Sequence, residues 1–261
     1  MINKLHQSND ITPLHKRFVF WLLICAHVIR GVFTLLIVFP SSNPNLKSNH
    51  IKSWSKQLLF LFGIELKINN PEFIPIRPYL LSSNHISWID IHAINAFTPI
   101  RFVAKSEVEG WPIFGWMAKQ LGTVFIQRGN SKHALQVVSN MTKNLETESI
   151  CIFPEGTSTD GHSVRPFKAN LFESAVISRS PVLSLAIEYF DRRTGIKTDA
   201  TAFIGDMGLL ESMSKILKHR NLRVVLTFFP PLDSSPPFLN DRKSLALHSQ
   251  EQISTYLSRS S

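Results

Sequence analysis

The sequence predicts an α/β domain, with a mixed, largely parallel sheet covered by helices, preceded by an N-terminal membrane-associated two-helix motif. Three observations carry this reading. From residue 66 onward, short apolar runs alternate with amphipathic stretches at helical spacing. Before that point, residues 18–39 are almost wholly apolar. At Asn84-His85-Ile86-Ser87-Trp88-Ile89-Asp90 an apolar run passes into a helical pattern, which sets polar side chains at a sheet edge facing a crevice.

With 261 residues, 44% of them hydrophobic, the chain can form one sizeable α/β domain and a short appendage. The expected division is a membrane-associated helical hairpin over 1–65 and the α/β domain over 66–261. The formal net charge is +9, and residues 1–64 hold seven Lys and Arg against Asp10 alone. Basic residues flanking apolar surface suit an anionic bilayer, and no nucleic-acid-binding motif appears. Cys25 and Cys151 stand far apart and offer neither a disulfide framework nor a metal cluster, as suits a reducing compartment.

Taken in order, residues 18–39 are long enough to span a bilayer core and end at Pro40-Ser41-Ser42-Asn43-Pro44. Arg30 would be costly at mid-membrane. Lys16 and Arg17 on one flank are matched by Lys47, Lys52 and Lys56 on the other, so charge gives no orientation. A second helical stretch, 46–64, carries Ile51, Trp54, Leu58, Leu59 and Phe62 beside its lysines. The expectation is a hairpin entering and leaving one leaflet. A true span and a buried helix pair are the alternatives, and a signal peptide lacks its cleavage pattern.

Strands are expected at 66–68, 79–82, 101–104, 123–127, 150–153, 182–188, 201–204 and 222–229. Helices are expected at 90–97, 107–120, 131–146, 166–179, 208–218 and 241–257. The prolines at 230–231 and 236–237 mark a late loop.

Four constellations carry chemistry. In the first, Asp90 can accept from one ring nitrogen of His85 and leave the other free to take a proton, a general base for an alcohol. The same heptapeptide also reads as a helix start, with Asn84 and Ser87 as caps and Asp90 in the first turn. The second runs from Lys105-Ser106-Glu107 to Gly122-Thr123-Val124-Phe125-Ile126-Gln127-Arg128-Gly129. Its Arg128 stands just past a β-rich run, where a guanidinium can grip a phosphate or merely sit in solvent. The third, Phe153-Pro154-Glu155-Gly156-Thr157-Ser158, is a tight turn with free N–H groups, a carboxylate and hydroxyls, followed by Arg165 and Lys168. It suits a polyol phosphate. In the fourth, Pro181 opens an apolar core strand and is placed, by position, in the wall of an acyl-donor pocket.

The order and spacing of these blocks resemble those of the glycerolipid acyltransferase family with its His-x4-Asp motif. Within it the chain is similar to bacterial 1-acyl-glycerol-3-phosphate (lysophosphatidate) acyltransferases over roughly residues 66–231. The resemblance implies His85 as general base and Asp90 as its partner, with Arg128, Glu155, Gly156, Thr157 and Lys105 on the acceptor. It implies acyl-CoA or acyl-carrier protein as co-substrate, no cofactor or metal, and phosphatidic acid as product for phospholipid synthesis. The implied location is the inner (cytoplasmic) membrane, with the site facing the cytoplasm. Residues 202–207, Ala-Phe-Ile-Gly-Asp-Met, look like the branch that includes lyso-ornithine lipid acyltransferases, which leaves the acceptor open. A non-catalytic membrane-binding scaffold is the alternative of another class, and the intact His85, Asp90, Arg128 and Glu155 argue against it. A metal hydrolase is disfavoured because His85, His92 and Asp90 do not make a convincing ligand set with a second shell. Cys151 has no base partner and reads as a core cysteine.

Overall fold

The computed structural model of the chain describes residues 11–127, 131–234 and 241–259. Helix α1, Leu14–Phe33, runs on through a wider turn at Thr34–Val38 and a tight one at Phe39–Ser41. Helix α2, Pro44–Phe62, returns. Asn43 starts it, its side chain accepting the Leu46 N–H at 2.9 Å, and Pro44 supplies a first-turn residue without an N–H to satisfy. Gly63 ends it in the left-handed region at φ 69°.

The two helices interlock. Trp54 donates to the His27 carbonyl at 3.2 Å, a ring nitrogen of His27 lies 3.0 Å from the Trp54 carbonyl, and the rings stack at 4.6 Å. Gly31 makes room, since a Cβ there would lie 2.6 Å from the indole nitrogen. Arg30, awkward for a lone span, finds His27 on its own helix and Gln57 across the hairpin. The run Leu14–Ser41 is long and apolar enough to cross a membrane, with a mean hydropathy of 2.4 over an 18-residue stretch of it. Ile24, Val28 and Leu35 turn inward, while Phe18, Leu22, Ile29, Phe33 and Ile37 are exposed. That division is the pattern of a membrane-facing helix with one protein-facing stripe.

The α/β part begins directly after Gly63. Its strands are β1 Ile64–Asn69, β2 Leu80–Ser83, β3 Arg101–Lys105, β4 Val124–Ile126, β5 Ile150–Ile152, β6 Val182–Asp191 and β7 Leu222–Phe228. They form one sheet in the order β1-β7-β6-β2-β5-β3-β4. Only the β6–β7 pair is antiparallel, so the sheet is mixed and largely parallel, as the sequence predicts. Alternate residues feed two cores. Leu81, Cys151, Leu183, Leu185 and Ile187 meet the hairpin, α3 (Asp90–Phe97) and α8 (Leu209–Lys218) on one face. Leu80, Ile150, Ile152 and Val182 meet α6 (Ser131–Asn144), α7 (Glu173–Ser178) and α9 (Arg242–Arg259) on the other. Phe62 of α2, fully buried, packs edge-on against Trp88 at 5.5 Å and joins the hairpin to α3.

Three expected elements differ. The helix at 107–120 is split into α4 (Ser106–Glu109) and α5 (Phe114–Gln120) by Gly110-Trp111-Pro112, with Ile113 at φ 63°. The helix at 166–179 begins only at Ala169, as a tight 3-10 turn that leads into α7. The strand at 201–204 is absent: Ala202 closes a turn onto the Asp199 carbonyl at 2.9 Å. Thr201 and Ala202 are buried there because the Phe203 N–H donates to the Ile86 carbonyl at 2.9 Å, drawing the segment onto the loop after β2.

A Gly63→Ala chain is expected to be destabilised by at least roughly 1–3 kcal/mol, the cost of a strained left-handed residue. The added Cβ would fall 2.0 Å from the Arg220 carbonyl. Thermal unfolding in detergent micelles should show a Tm several degrees lower.

Candidate active site

The parallel strands β2, β5 and β3 deliver their C-terminal ends to one edge, the usual ligand side of an open α/β sheet. His85 follows β2, Phe153–Thr157 follow β5, and Lys105 ends β3 opposite Ile126 of β4.

The loop after β2 is held by its own side chains. Asn84 accepts the Ile187 N–H at 2.8 Å and donates to the Ile187 carbonyl at 3.0 Å, so its amide continues the β2–β6 ladder where the backbone leaves it. It is not the helix cap that local sequence allowed. Asp90 opens α3 and turns back over the loop. Its Oδ2 accepts from the Ile86 N–H at 2.8 Å, the Ser87 N–H at 2.9 Å and His85 Nδ1 at 2.9 Å, and its Oδ1 accepts from the Tyr189 hydroxyl at 2.7 Å. The Asp90 side chain has 0% exposure and the His85 side chain 20%. Burial, and then the Asp90 charge, push the Tyr189 phenol well above its usual pKa, which keeps it a donor.

The His85 ring lies flat on Phe153, with centroids 4.0 Å apart, and Phe153 stacks on Phe102 at 6.2 Å. With Nδ1–H donated to a carboxylate, the lone pair is left on Nε2. Such a nitrogen can accept a proton from an alcohol.

The turn after β5 grips the same histidine through its backbone. Phe153 and Gly156 close the turn at 3.0 Å, with Pro154 and a Gly156 φ of 69° suiting its shape. Glu155 accepts the His85 N–H at 2.8 Å on one oxygen and the Arg165 N–H at 2.9 Å on the other. Burial raises its pKa, and those two N–H groups oppose the shift. Thr159 donates its N–H to the His85 carbonyl at 2.8 Å, and the Ser158 hydroxyl donates to the Phe203 carbonyl. Glu155 therefore stands as a strut between two loops, with Gly156 and Thr157 beyond it at the turn. His162, Arg165 and Lys168 are exposed in the loop that follows.

Beneath the hairpin lies an apolar cavity bounded by Leu35, Trp54, Ile91, Phe102, Phe114 and Met117, and extending to Val108, Trp111 and Leu121. Phe102 links it to the Phe153 ring under His85. Cys151 is buried in the sheet, and desolvation pushes its thiol far above the reactive range. Among the described residues no three His, Cys, Asp or Glu side chains are grouped to hold a metal ion.

The expected site residues thus divide. His85, Asp90, Glu155, Gly156 and Thr157 come together, and Lys105 shares their edge at the end of β3, next to β5 and two strands from β2. Arg128 lies outside the described residues. Pro181 is not part of the site: its carbonyl accepts the Leu80 N–H at the start of the strands, roughly 16–20 Å from His85 at about 3.3 Å per residue. It does not line the cavity. Sequence reading missed Tyr189. Its signal was a phenol in a buried strand, a hydroxyl that burial obliges to find a partner.

Residues 65–188 match the family described as Acyltransferase. The chain is 32% identical over 209 residues to a lyso-ornithine lipid O-acyltransferase of Pseudomonas aeruginosa, covering 80% of this chain and 78% of that one. It is 29% identical over 251 residues to a 1-acyl-sn-glycerol-3-phosphate acyltransferase of Neisseria gonorrhoeae, covering 95% and 94%. In fold it is similar to the crystal structure of the 1-acyl-sn-glycerophosphate acyltransferase of Thermotoga maritima. The TM-score is 0.67 at 20% identity, covering 94% of this chain and 95% of the other.

Tyr189→Phe removes one donor from a buried carboxylate. It is expected to lower stability by about 1.5–3 kcal/mol, the range for a hydrogen bond to a charged group. Chemical denaturation at neutral pH should show a lower midpoint with an unchanged slope.

Proposed function

The chain belongs to the acyltransferase family, and on that premise we propose that it acylates the sn-2 hydroxyl of 1-acyl-glycerol-3-phosphate, making phosphatidic acid. The donor is an acyl-CoA or acyl-carrier-protein thioester, and no further cofactor enters. The observation that carries the reading is the half-buried His85 ring, tied to Asp90 at 2.9 Å and stacked on Phe153, whose partner Phe102 lines an apolar cavity.

In this mechanism Nε2 of His85 takes the proton of the sn-2 hydroxyl as that oxygen attacks the thioester carbonyl. Asp90 fixes the tautomer and stabilises the imidazolium. The tetrahedral intermediate then collapses, the C–S bond breaks, and the thiolate leaves with the proton that His85 returns. The products are the ester and the free thiol, with no acyl-enzyme. Lys105 and Arg128 take the acceptor phosphate, Arg128 on the ground of its sequence position alone. Thr157 offers its hydroxyl at the turn, which Gly156 shapes, and Glu155 serves the acceptor by holding His85 and the turn in register. The cavity under the hairpin takes the acyl chain. Residues 1–65 hold the enzyme in the inner membrane, with the edge bearing His85 on the cytoplasmic side, and residues 66–261 form the transferase domain.

A second acceptor has support of its own. Several relatives, from Pseudomonas aeruginosa and Rhizobium meliloti among others, are named lyso-ornithine lipid O-acyltransferases. The same dyad would serve that hydroxyl, and the phosphate-binding cations would then lose their purpose.

His85→Ala should lower transfer roughly 10²- to 10⁴-fold, the usual worth of a general base, while the protein still folds and binds vesicles. Retention of most activity in a mixed-micelle assay would remove His85 from the role. Arg128→Ala should raise the KM for lysophosphatidate about tenfold or more and leave kcat closer to its original value. Wild-type protein given lysophosphatidate and lyso-ornithine lipid side by side decides the acceptor: product from the ornithine lipid alone overturns the phosphatidate assignment.

A further inference from the structure

The cavity under the hairpin is largely apolar, with Thr34, His50, Ser55 and Thr123 on its wall and a polar strip along α3. His92 and Asn95 are three residues apart, share a helix face and both line the cavity. Asn95 is partly occupied, its Oδ1 accepting the Ile100 N–H at 3.1 Å. His92 is not: its Nδ1 is buried with no hydrogen-bond partner among the described residues.

The surroundings of His92 explain why. Its ring tilts against Trp54 at 5.3 Å and meets Trp88 edge-on at 5.9 Å. Neither indole can serve it, because Trp54 donates to the His27 carbonyl at 3.2 Å and Trp88 to the Ser212 hydroxyl at 3.0 Å. Desolvation, with a smaller effect from His27, lowers its pKa to about 3, so the ring is neutral and offers one N–H and one lone pair. A buried polar group without a partner is costly, and a phenylalanine or leucine would complete the same wall without that cost. The imidazole therefore fits an occupant that is apolar along its length and polar at one point.

We infer that His92 is a specificity residue, and that the acyl chain drawn into this cavity carries a hydroxyl that hydrogen-bonds its imidazole. The substrate class is a hydroxylated fatty acyl thioester. The inference rests on the proposed reading that the cavity holds the donor's chain. The hydroxyl adds no step to the reaction, since it binds and does not react.

Trp54 and Trp88 report on the cavity without turnover. Their fluorescence should be followed while the full-length protein in detergent micelles is titrated with hexadecanoic acid, and separately with monohydroxy analogues substituted at successive positions. For the wild type, one analogue should bind about fivefold tighter than the parent acid, the worth of one net hydrogen bond. His92→Phe should erase that ratio, and His92→Gln, which keeps a donor and an acceptor, should restore part of it. Equal affinity for every analogue and the parent, or a preference that survives in His92→Phe, overturns the proposal.

A parallel transfer assay with the matching acyl-CoA pair separates the two readings. Transfer from the unsubstituted thioester without any binding preference leaves the function standing and removes the role of His92. A binding preference without transfer from any thioester removes the donor assignment and the function with it.

Discussion

The site depends on a carboxylate taken wholly out of water. A buried charge is tolerated only when its lone pairs are met, and Asp90 meets that demand with two backbone N–H groups, an imidazole and a phenol. Satisfying it dictates the path of residues 84–89. The Ile86 and Ser87 amides must point inward, which turns the chain from β2 into α3, and the histidine just before them must present its ring at the end of the strand. Tyr189, on the neighbouring strand, fixes the second oxygen, so the dyad is referenced to the sheet and not to a loop alone.

Two further contacts make the same loop rigid. Asn84 replaces the backbone of a strand that has ended, and the turn at 153–159 holds the His85 peptide by its N–H and its carbonyl. Phe153 supports the ring from below. Orientation is then supplied by the fold before substrate arrives, which is where much of a catalyst's advantage lies. Glu155 illustrates how a polar residue in a site can act through another: both of its oxygens receive backbone donors, and its effect reaches the chemistry through the position of His85.

Much of this was legible in the sequence because it is encoded locally. The strand-to-helix passage at 84–90, the Pro-Glu-Gly turn and the α/β rhythm rest on residue types and spacing that act within a few positions. What was illegible needs partners far along the chain. Tyr189 is 99 residues from Asp90, and nothing in its own strand announces that partner. Residues 201–204 look like a strand since they are mostly apolar, yet the burial of Thr201 and Ala202 comes from packing onto the site loop. The break at Gly110-Trp111-Pro112 could be read from proline and glycine, whereas the positive φ of a β-branched Ile113 could not. Pro181 was assigned to the site from motif order alone, and the register of β2 with β6 places it at the other end of the strands.

Helix α1 presents one stripe to the protein interior and an opposite stripe outward, and the apolar cavity opens behind the inner stripe at Gly31, Thr34 and Leu35. With the outer stripe in a leaflet, as proposed, a hydrocarbon tail could pass from lipid to cavity without crossing bulk solvent. Supply would then be a two-dimensional problem. The effective substrate concentration would be its mole fraction in the surrounding surface, so diluting the lysolipid with inert lipid would slow the protein even at constant total amount, while adding buffer would not.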